Sequence, residues 1–545
     1  MLRPHRAAPA AVGAAAGDDA AGSGSLLIHG DNLDALAALL PFYRGRVKCI
    51  FIDPPYNTKS AFEHDDDKLE HSQCLSMMLP RLQLLRELLS EDGSIWVTLD
   101  DAEAHYFRVL GNEAFGRAQF IIDIAWRKRD GPPNDRKVGA VHDHLLVWAK
   151  RRDSSSKKTL AEVGFNLMQR TEKADAQYQV FREPNGPDPR GPFRKIDTTA
   201  NGKGGRFVQS LYVPIRNPYT GEDVMPRKGT CWRHSKEEMT RLQEDGRLYW
   251  GVSGTATTPM RKLFKSEAKA GMSSPSIWDD AGLNQHASAE MEKLFGEKAA
   301  FETPKREALM QRILHIASNP NDLVLDSFLG SGTTAAVAHK MGRRWIGIEM
   351  GEHALTHCLP RLRKVVDGEQ GGISAAVGWQ GGGGFHCLQL GAPLFDADGE
   401  THAELRFADL AAFLWLRETG QALAAVPRDG SATPLLGRHD GTSYWLLFNG
   451  VLGDRRPASG NVLTSDVLAT LRALGWPDGP KVVYGEACRL GAARLAAEGI
   501  TFKQLPHAVP RSGNADRTAR DLFGVALSLR SHHPSAEDCH AHHRR

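Results

Sequence analysis

The stretch V-K-C-I-F-I-D-P-P-Y at residues 47–56 decides the fold class. Its apolar first part, Val47–Ile52, has the length and composition of a buried parallel strand. The two prolines that follow cannot continue a strand or a helix, so the strand ends there. Asp53 and Tyr56 are thereby placed at the carboxyl end of a strand, where open α/β sheets bind their ligands.

The flanking sequence extends this strand into an alternating α/β pattern. Before residue 150 we predict strands at 25–28, 94–99, 120–126 and 144–148, and helices at 32–40, 77–89 and 103–115. The pattern returns with helices at 307–317, 333–341 and 352–365 and with strands at 323–326 and 345–349. Such alternation predicts a doubly wound, Rossmann-like α/β sheet with an antiparallel edge hairpin.

A second informative segment, D-S-F-L-G-S-G-T-T at residues 326–334, joins a predicted strand to a predicted helix. Gly330 and Gly332 let a ligand approach the backbone, and the helix start offers free N–H groups. The segment has neither the third glycine of a dinucleotide site nor the lysine of a phosphate-binding loop. Glu349, which ends the next strand, occupies a common ribose-binding position. This combination suits S-adenosylmethionine, although tight packing between helix and strand would also explain the two glycines.

Composition divides the chain of 545 residues into seven segments. We predict a disordered tail at 1–25, a first α/β half at 26–150, an inserted module at 151–300, a second α/β half at 301–368, a Gly-rich linker at 369–384, a small C-terminal α/β domain at 385–530 and a disordered tail at 531–545. The segment 151–300 is too long for an unstructured loop, which is why we interpret it as an inserted module.

Bulk properties exclude several classes of protein. A net charge of +3 is no nucleic-acid footprint by itself, so a DNA-facing surface must be local. Seven scattered cysteines indicate reduced thiols and a cytoplasmic protein. No apolar stretch reaches the roughly 18 residues that would span a bilayer. His142 and His144 lie on a predicted strand without a cysteine partner, so we predict no metal site.

The order of these motifs resembles a known family. The catalytic tetrapeptide comes first, a long insert second and the Gly-rich loop last, which is similar to the β-type circular arrangement of DNA adenine N6-methyltransferases. Further stretches that match this family are Gly30-Asp31-Asn32-Leu33, Glu91-Asp92-Gly93-Ser94-Ile95, Cys231-Trp232-Arg233 and Ser276-Ile277-Trp278-Asp279-Asp280. Together they resemble the modification (Mod) subunits of Type III restriction–modification systems and their solitary relatives.

The resemblance implies that 26–150 is the catalytic half, 151–300 the target-recognition region and 301–368 the cofactor-binding half. It also implies specific roles for the motif residues. Asp53, Pro54, Pro55 and Tyr56 are implied to be catalytic: Tyr56 stacks on a flipped-out adenine, while Asp53 and the Pro54 carbonyl accept its amino hydrogens. The implied cofactor-binding residues are Asp31, Lys305, Asp326, Phe328, Gly330, Gly332, Thr333 and Glu349. Asp31 is equally suited to capping the helix that follows it. At Lys305 the chain departs from the family, because Arg306 stands where a proline is usual.

The resemblance also implies partners, namely double-stranded DNA, a second copy of the chain and a restriction subunit. Three alternatives remain open at this point. These alternatives are methylation of cytosine N4, methylation of RNA, and a catalytically idle DNA-specificity subunit. Asp53, rather than serine at that position, favours adenine. The role of the C-terminal domain is open among dimerisation, DNA clamping and partner docking.

Overall fold

The computed structural model of the protein describes most of the chain. The described residues are 1–4, 11–13, 24–55, 71–132, 134, 137–152, 164–201, 207–296, 301, 303–394, 405–419, 423, 433–448, 461–476 and 478–505. They belong to two compact units, one formed by Met1–Asn166 with Pro275–Arg545 and the other by Leu167–Ser274. No helix among these residues is long and apolar enough to cross a membrane.

The first unit begins with the predicted alternation of strands and helices. Its elements up to residue 152 are β1 (Leu2–Pro4), β2 (Ala11–Gly13), β3 (Ser25–His29), α1 (Asn32–Tyr43), β4 (Val47–Ile52), α2 (His71–Leu88), β5 (Leu89–Leu99), α3 (Ala104–Phe115), β6 (Phe120–Arg127) and β7 (His142–Ala149). All six residues of β4 are buried, as expected for a strand covered on both faces.

The second unit, Leu167–Ser274, is built from short elements around a core of its own. These are α4 (Glu172–Asp175), β8 (Phe193–Asp197), β9 (Thr199–Asn201), β10 (Ile215–Arg216), β11 (Asp223–Val224), β12 (Thr230–Trp232), α5 (Lys236–Glu244), β13 (Leu248–Tyr249) and β14 (Met260–Phe264). Trp232 and Trp250 are buried in this core with Met239 and Leu242, so both tryptophans are structural.

The first unit resumes after the second and completes its sheet. Its remaining elements are β15 (Ile277–Trp278), α6 (Asn284–Phe295), α7 (Glu307–Ala317), β16 (Leu323–Asp326), α8 (Thr333–Lys340), β17 (Arg344–Glu349), a π-helical turn (Ala354–Cys358), α9 (Leu359–Val366), α10 (Ser374–Val377), β18 (Gly384–Leu390), α11 (Phe407–Thr419), β19 (Leu435–His439), β20 (Thr442–Leu446), β21 (Val462–Leu463), α12 (Ser465–Ala473), β22 (Lys481–Gly485), β23 (Ala487–Cys488), α13 (Ala492–Ala497) and β24 (Ile500–Gln504).

The large sheet has the strand order β1-β18-β3-β17-β16-β4-β5-β7-β6-β15, with β2 also paired to β18. Its six central strands, β18 to β5 in this order, run parallel. The antiparallel pair β6–β7 is the predicted hairpin, and β7 also pairs antiparallel with β5. The hairpin is not the edge, however, because β15 pairs with β6. The carboxyl ends of β3, β17, β16, β4 and β5 therefore lie along one side of the sheet.

The predicted insert boundaries were too wide. The compact unit spans Leu167–Ser274 instead of 151–300. Trp278 of β15 pairs with Trp126 of β6 in the large sheet, and α6 also belongs to the first unit. The two-residue strand β15 has too little sequence for periodicity to reveal it.

The predicted tail at 1–25 and linker at 369–384 also need correction. Leu2–Pro4 and Ala11–Gly13 are strands paired to β18, whose outer backbone groups they satisfy. In the supposed linker, Ile373 and Ser374 are buried. The residues 384–390 form β18 of the large sheet, so the separate C-terminal sheet, β19-β20-β22-β24, begins only at Leu435. The predicted tail at 531–545 lies outside the described residues.

Candidate active site

The acidic residues singled out in the sequence meet along one side of the sheet. Asp53 follows β4, Asp326 ends β16, Glu349 ends β17, and Asp31 follows β3 by two residues. The strands are adjacent and parallel, with Leu325 paired to Ile50 and Glu349 paired to His29. The sheet therefore brings the tetrapeptide and the Gly-rich loop together although about 270 residues separate them in sequence.

Asp53 keeps some exposure and faces a lysine. Its side chain is 21% exposed, and its Oδ2 lies 2.5 Å from the Nζ of Lys305, which is 9% exposed. Pro54 is buried and Pro55 half-buried, which holds the backbone after β4 in place. Tyr56 lies outside the described residues. The Asp53 carboxyl group, held by Lys305, thus stands as a hydrogen-bond acceptor at the strand end.

Asp326 has a different environment. Its side chain is almost completely buried, and it accepts hydrogen bonds from the Phe328 N–H at 3.0 Å and the Thr334 hydroxyl at 2.6 Å. Burial raises the pKa of Asp326 to about 7, and the nearby charges of Asp53 and Glu349 act in the same direction. Asp326 therefore shapes the Gly-rich loop from within.

The backbone of this loop requires glycine at two positions. Gly330 has φ +54° and Gly332 has φ +82°, a region that other residues rarely adopt. A Cβ on Gly332 would stand 3.4 Å from the Cα of Cys358, and a Cβ on Gly330 would stand 3.7 Å from the Phe301 ring. Phe328 is half-buried against the core of the sheet. The loop consequently offers backbone rather than side chains to a ligand.

Glu349 organises the neighbouring turn. Its carboxylate accepts hydrogen bonds from the N–H groups of Met350 at 2.7 Å, Gly351 at 3.0 Å and Gly330 at 2.8 Å, and lies 3.1 Å from His353 Nε2. Burial by itself raises its pKa, but the His353 contact and the backbone donors together hold the pKa of Glu349 below its ordinary value. Glu349 is therefore an anion that is already tied to the Gly-rich loop.

Asp31 caps α1, as one of its two sequence interpretations required. Its Oδ1 accepts from the N–H groups of Leu33 at 2.9 Å and Asp34 at 3.2 Å, and its Oδ2 lies 3.2 Å from Arg81. The side chain is still 40% exposed, so capping leaves surface for a ligand. The adjacent Asn32 donates to the Ser327 carbonyl at 2.8 Å and thereby links α1 to the Gly-rich loop.

A buried cluster of charges lies beneath the start of α8. Arg361 donates to the Thr333 hydroxyl at 2.8 Å and to Glu307 at 2.9 Å, and Lys340 donates to the same carboxylate at 2.8 Å. Lys340 is also ion-paired with Glu369. The Thr333 hydroxyl donates in turn to the Lys305 carbonyl at 3.1 Å. The Thr333 side chain therefore secures the loop and the Lys305 segment to each other.

Sequence reasoning missed several of these residues. Glu307, Arg361 and Arg81 are charged residues on buried helix faces, where apolar residues are the rule. That contrast was visible in the sequence once the helix phase was known. Phe301, beside Gly330, had no such signal. Lys128 pairs with the buried Asp143 at 2.5 Å, a contact that the sequence did not indicate.

The site also contains a buried polar atom that fits a ligand. Within the described residues, the Ser327 hydroxyl is buried and has no hydrogen-bond partner. Buried hydroxyls are almost always satisfied, so an unpartnered one in a ligand loop indicates a missing donor or acceptor. The open glycine backbone and the Glu349 carboxylate supply further groups at the same place. These features fit a ligand that carries amino, carboxyl and hydroxyl groups.

The sheet topology and the order of the motifs are those of an α/β methyltransferase fold of circularly permuted order. The family model described as DNA methylase (N6_N4_Mtase) matches residues 47–358. The chain therefore belongs to the DNA methylase family, as the resemblance in the sequence implied.

Curated relatives agree with this assignment. The chain is 56% identical over 309 residues to the Type II methyltransferase M1.MboII of Moraxella bovis, covering 56% of this chain and 84% of that protein. It is 30% identical over 414 residues to the probable type III restriction-modification enzyme HindVI Mod subunit of Haemophilus influenzae, covering 67% and 54% respectively. The StyLTI Mod subunit of Salmonella typhimurium is 29% identical over 346 residues, covering 57% and 49%. The chain spans about half the length of these two Mod subunits.

Proposed function

We propose that this protein transfers a methyl group from S-adenosylmethionine to the N6 atom of an adenine flipped out of double-stranded DNA, as the modification component of a restriction–modification system. The observation that carries the proposal is the juxtaposition of two strand ends. Asp53 and the Gly-rich loop lie after adjacent parallel strands, so an acceptor for an amino group stands next to a loop suited to the cofactor.

The residues present fit the cofactor. The backbone of Gly330 and Gly332 and the unpartnered Ser327 hydroxyl are suited to the methionine part, with Asp326 and Phe328 setting the loop's shape. Glu349 would accept from the ribose and Asp31 from the adenine. When bound, S-adenosylmethionine supplies an electrophilic methyl group on a sulfonium.

The catalytic work of the chain is positioning. An adenine amino group is a poor nucleophile because its lone pair is delocalised into the ring. Asp53 and the Pro54 carbonyl accept hydrogen bonds from its two N–H groups, which localises the lone pair on nitrogen. Tyr56 stacks on the base. Lys305 fixes the Asp53 carboxylate through the 2.5 Å ion pair. The rate gain comes from orientation and from preorganised dipoles.

Target recognition is proposed for the Leu167–Ser274 unit. A groove of about 660 Å³ in this unit is lined by side chains of the types that can bond to base edges or phosphates, among them Gln177, Gln179, Arg194, Lys195 and Arg233. Glutamine pairs well with adenine and arginine with guanine in the major groove. Replacing Gln179 or Arg233 with alanine should therefore relax the recognition sequence while leaving cofactor binding unchanged.

We extend the proposal to a homodimer with a restriction subunit as further partner, and to a cytoplasmic setting. The support for these partners is the similarity to Mod subunits. The cytoplasmic setting is supported by the six cysteines among the described residues, all of which are free thiols.

The test is modification-sensitive long-read sequencing of plasmid DNA from a methylation-deficient host that expresses the chain. We expect N6-methyladenine at one short motif, and none when the host expresses the Asp53→Ala variant. Modified cytosine N4 at such a motif would refute the adenine assignment. No modification, despite cofactor binding by the purified protein, would support an idle specificity subunit and overturn the proposed activity.

A further inference from the structure

Four polar side chains converge where β5 ends and β7 begins, two strands away from β4 in the large sheet. His142 and His144 lie two residues apart on β7 and so project from the same face of the strand. Asp101 comes from the segment after β5, and His105 from the first turn of α3. The sequence alone shows only the histidine pair, from which we predict no metal site.

The geometry of this cluster is that of a preformed cation site. One ligand atom each from Asp101, His142 and His144 lie within 4.8 Å of one another. The ring centroids of His142 and His144 are 5.2 Å apart, and the His105 ring lies 5.4 Å from that of His144. Ligand atoms around a tetrahedral Zn²⁺ are about 3.3–3.5 Å apart, so small side-chain rotations would close the site.

An independent observation concerns the far side of His144. Its Nδ1 lies 3.1 Å from both carboxylate oxygens of Asp123 on β6. A carboxylate on one ring nitrogen fixes the tautomer and leaves the other nitrogen free for a metal, and it is the usual outer partner of metal-binding histidines. The Asp123–His144 pair therefore orients Nε2 as a metal ligand requires.

We propose that Asp101, His142 and His144 bind a divalent transition-metal ion, for which Zn²⁺ is the best match, with His105 or water as the fourth ligand. Two or three imidazoles with one carboxylate suit borderline metals better than Mg²⁺ or Ca²⁺, which prefer all-oxygen sites. Asp101 and His105 are exposed and the other two ligands are half-buried, so the ion can enter from solvent. Bound metal would join β5, α3 and β7, which border the active site. The proposal is independent of the methyl-transfer reaction.

The experiment is a titration of the metal-free full chain with Zn²⁺ by calorimetry, and with Co²⁺ by visible spectroscopy. The C-terminal histidines and cysteine would also bind metal. Every protein tested therefore has serine in place of His532, His533, Cys539, His540, His542 and His543. The variants are His142→Gln with His144→Gln, and Asp123→Asn. The matched control is His439→Gln, which removes a strand histidine that lies 3.4 Å from Asp440.

We expect one Zn²⁺ per chain, d–d bands typical of four-coordinate Co²⁺, and a higher Tm with Zn²⁺. The double glutamine variant should lose this equivalent and the Tm increase, while His439→Gln retains both. Asp123→Asn should weaken binding by about 10- to 100-fold. Absence of binding to the parent protein, or unchanged stoichiometry in a double variant whose metal-free Tm matches that of the parent, would overturn the proposal. If that variant has a lower Tm, His142→Gln alone provides the same comparison.

Discussion

Asp53 and Asp326 stand at the ends of neighbouring parallel strands, yet their environments are opposite. Asp326 is 2% exposed, and both of its oxygens are hydrogen-bonded to the loop that it shapes. Asp53 is 21% exposed and faces the Lys305 ammonium. The same residue type at the same level of a sheet is thus buried and bonded to its own loop in one place, and is partly exposed in the other. Burial and partners, rather than residue type, decide the role.

The largest effect is expected when the buried charge cluster of Glu307, Lys340 and Arg361 loses its carboxylate. Glu307→Ala would leave Lys340 and Arg361 as two buried cations without their shared carboxylate. Removing one partner of such a cluster costs about 3–5 kcal/mol. Urea unfolding should show this loss in the free energy of unfolding. Arg494→Ala is the control, because it removes an ion pair in which the arginine side chain is 55% exposed, and it should cost far less than Glu307→Ala. Equal losses in the free energy of unfolding for the two variants would contradict the contrast between buried and exposed charges.

The next effect separates the two aspartates by function. Asp53→Ala should lower the rate of methyl transfer by roughly 10²–10³-fold, the size typical of a lost electrostatic group, while cofactor affinity stays near that of the parent. Asp326→Ala should instead weaken cofactor binding, because the Phe328 N–H and Thr334 hydroxyl lose their acceptor at about 1–3 kcal/mol each.

Single-turnover rates and calorimetric titration with S-adenosylmethionine would distinguish the two variants. Asp440→Ala removes a 91% exposed carboxylate and serves as the control. Retained transfer by the Asp53→Ala variant would refute the proposed mechanism.

Lys305 provides a finer test, because the sequence placed it with the cofactor and the structure pairs it with Asp53. Lys305→Met should lower kcat by about 10- to 100-fold, the value of one charge-assisted hydrogen bond, with little change in the KM for S-adenosylmethionine. Lys305→Arg should recover part of kcat. A rise in the KM for S-adenosylmethionine at unchanged kcat would instead assign Lys305 to cofactor binding.

The last expected effect is a dependence of stability on pH. The pKa of Asp326 is raised from 3.8 to about 7 in the folded protein, so the folded state holds a proton that the unfolded state has released. The stability contribution of Asp326 is therefore fully present below about pH 4 and is lost as the pH rises toward 7, with a slope of at most about 1.4 kcal/mol per pH unit. Asp326→Asn should remove this slope. Urea midpoints between pH 5 and pH 8 check it, and parallel curves for parent and variant would contradict it.

Much of the fold followed from local pattern. The predicted spans for α7 and β16 agree with the structure residue for residue, and most other helices and strands differ by a few residues at their ends. Long apolar runs and helical spacing carry that information by themselves. Among the errors were β1, β2 and β15, which are two or three residues long and are strands only because an exposed sheet edge pairs with them. Another was β18, which the sequence assigned to the C-terminal domain and which pairs with β3 in the large sheet.

The site shows the same division. The motifs located Asp53, Asp326, Glu349 and the two glycines on one side of the sheet, because parallel strands place their carboxyl ends together. The motifs did not distinguish an internal carboxylate from an available one, since exposure depends on residues far away in sequence. The assignment of each residue to the cofactor stays a prediction.

By itself, the sequence determined the doubly wound sheet, the permuted order of its motifs and the family, because apolar periodicity and strand-ending motifs are local. Only the tertiary structure decided that Lys305 faces Asp53, that Glu307 unites Lys340 and Arg361, and that Asp101 meets His142 and His144. Those contacts join segments up to about 250 residues apart. Their free energy comes from burial and charge at the meeting point, which no local stretch of sequence contains.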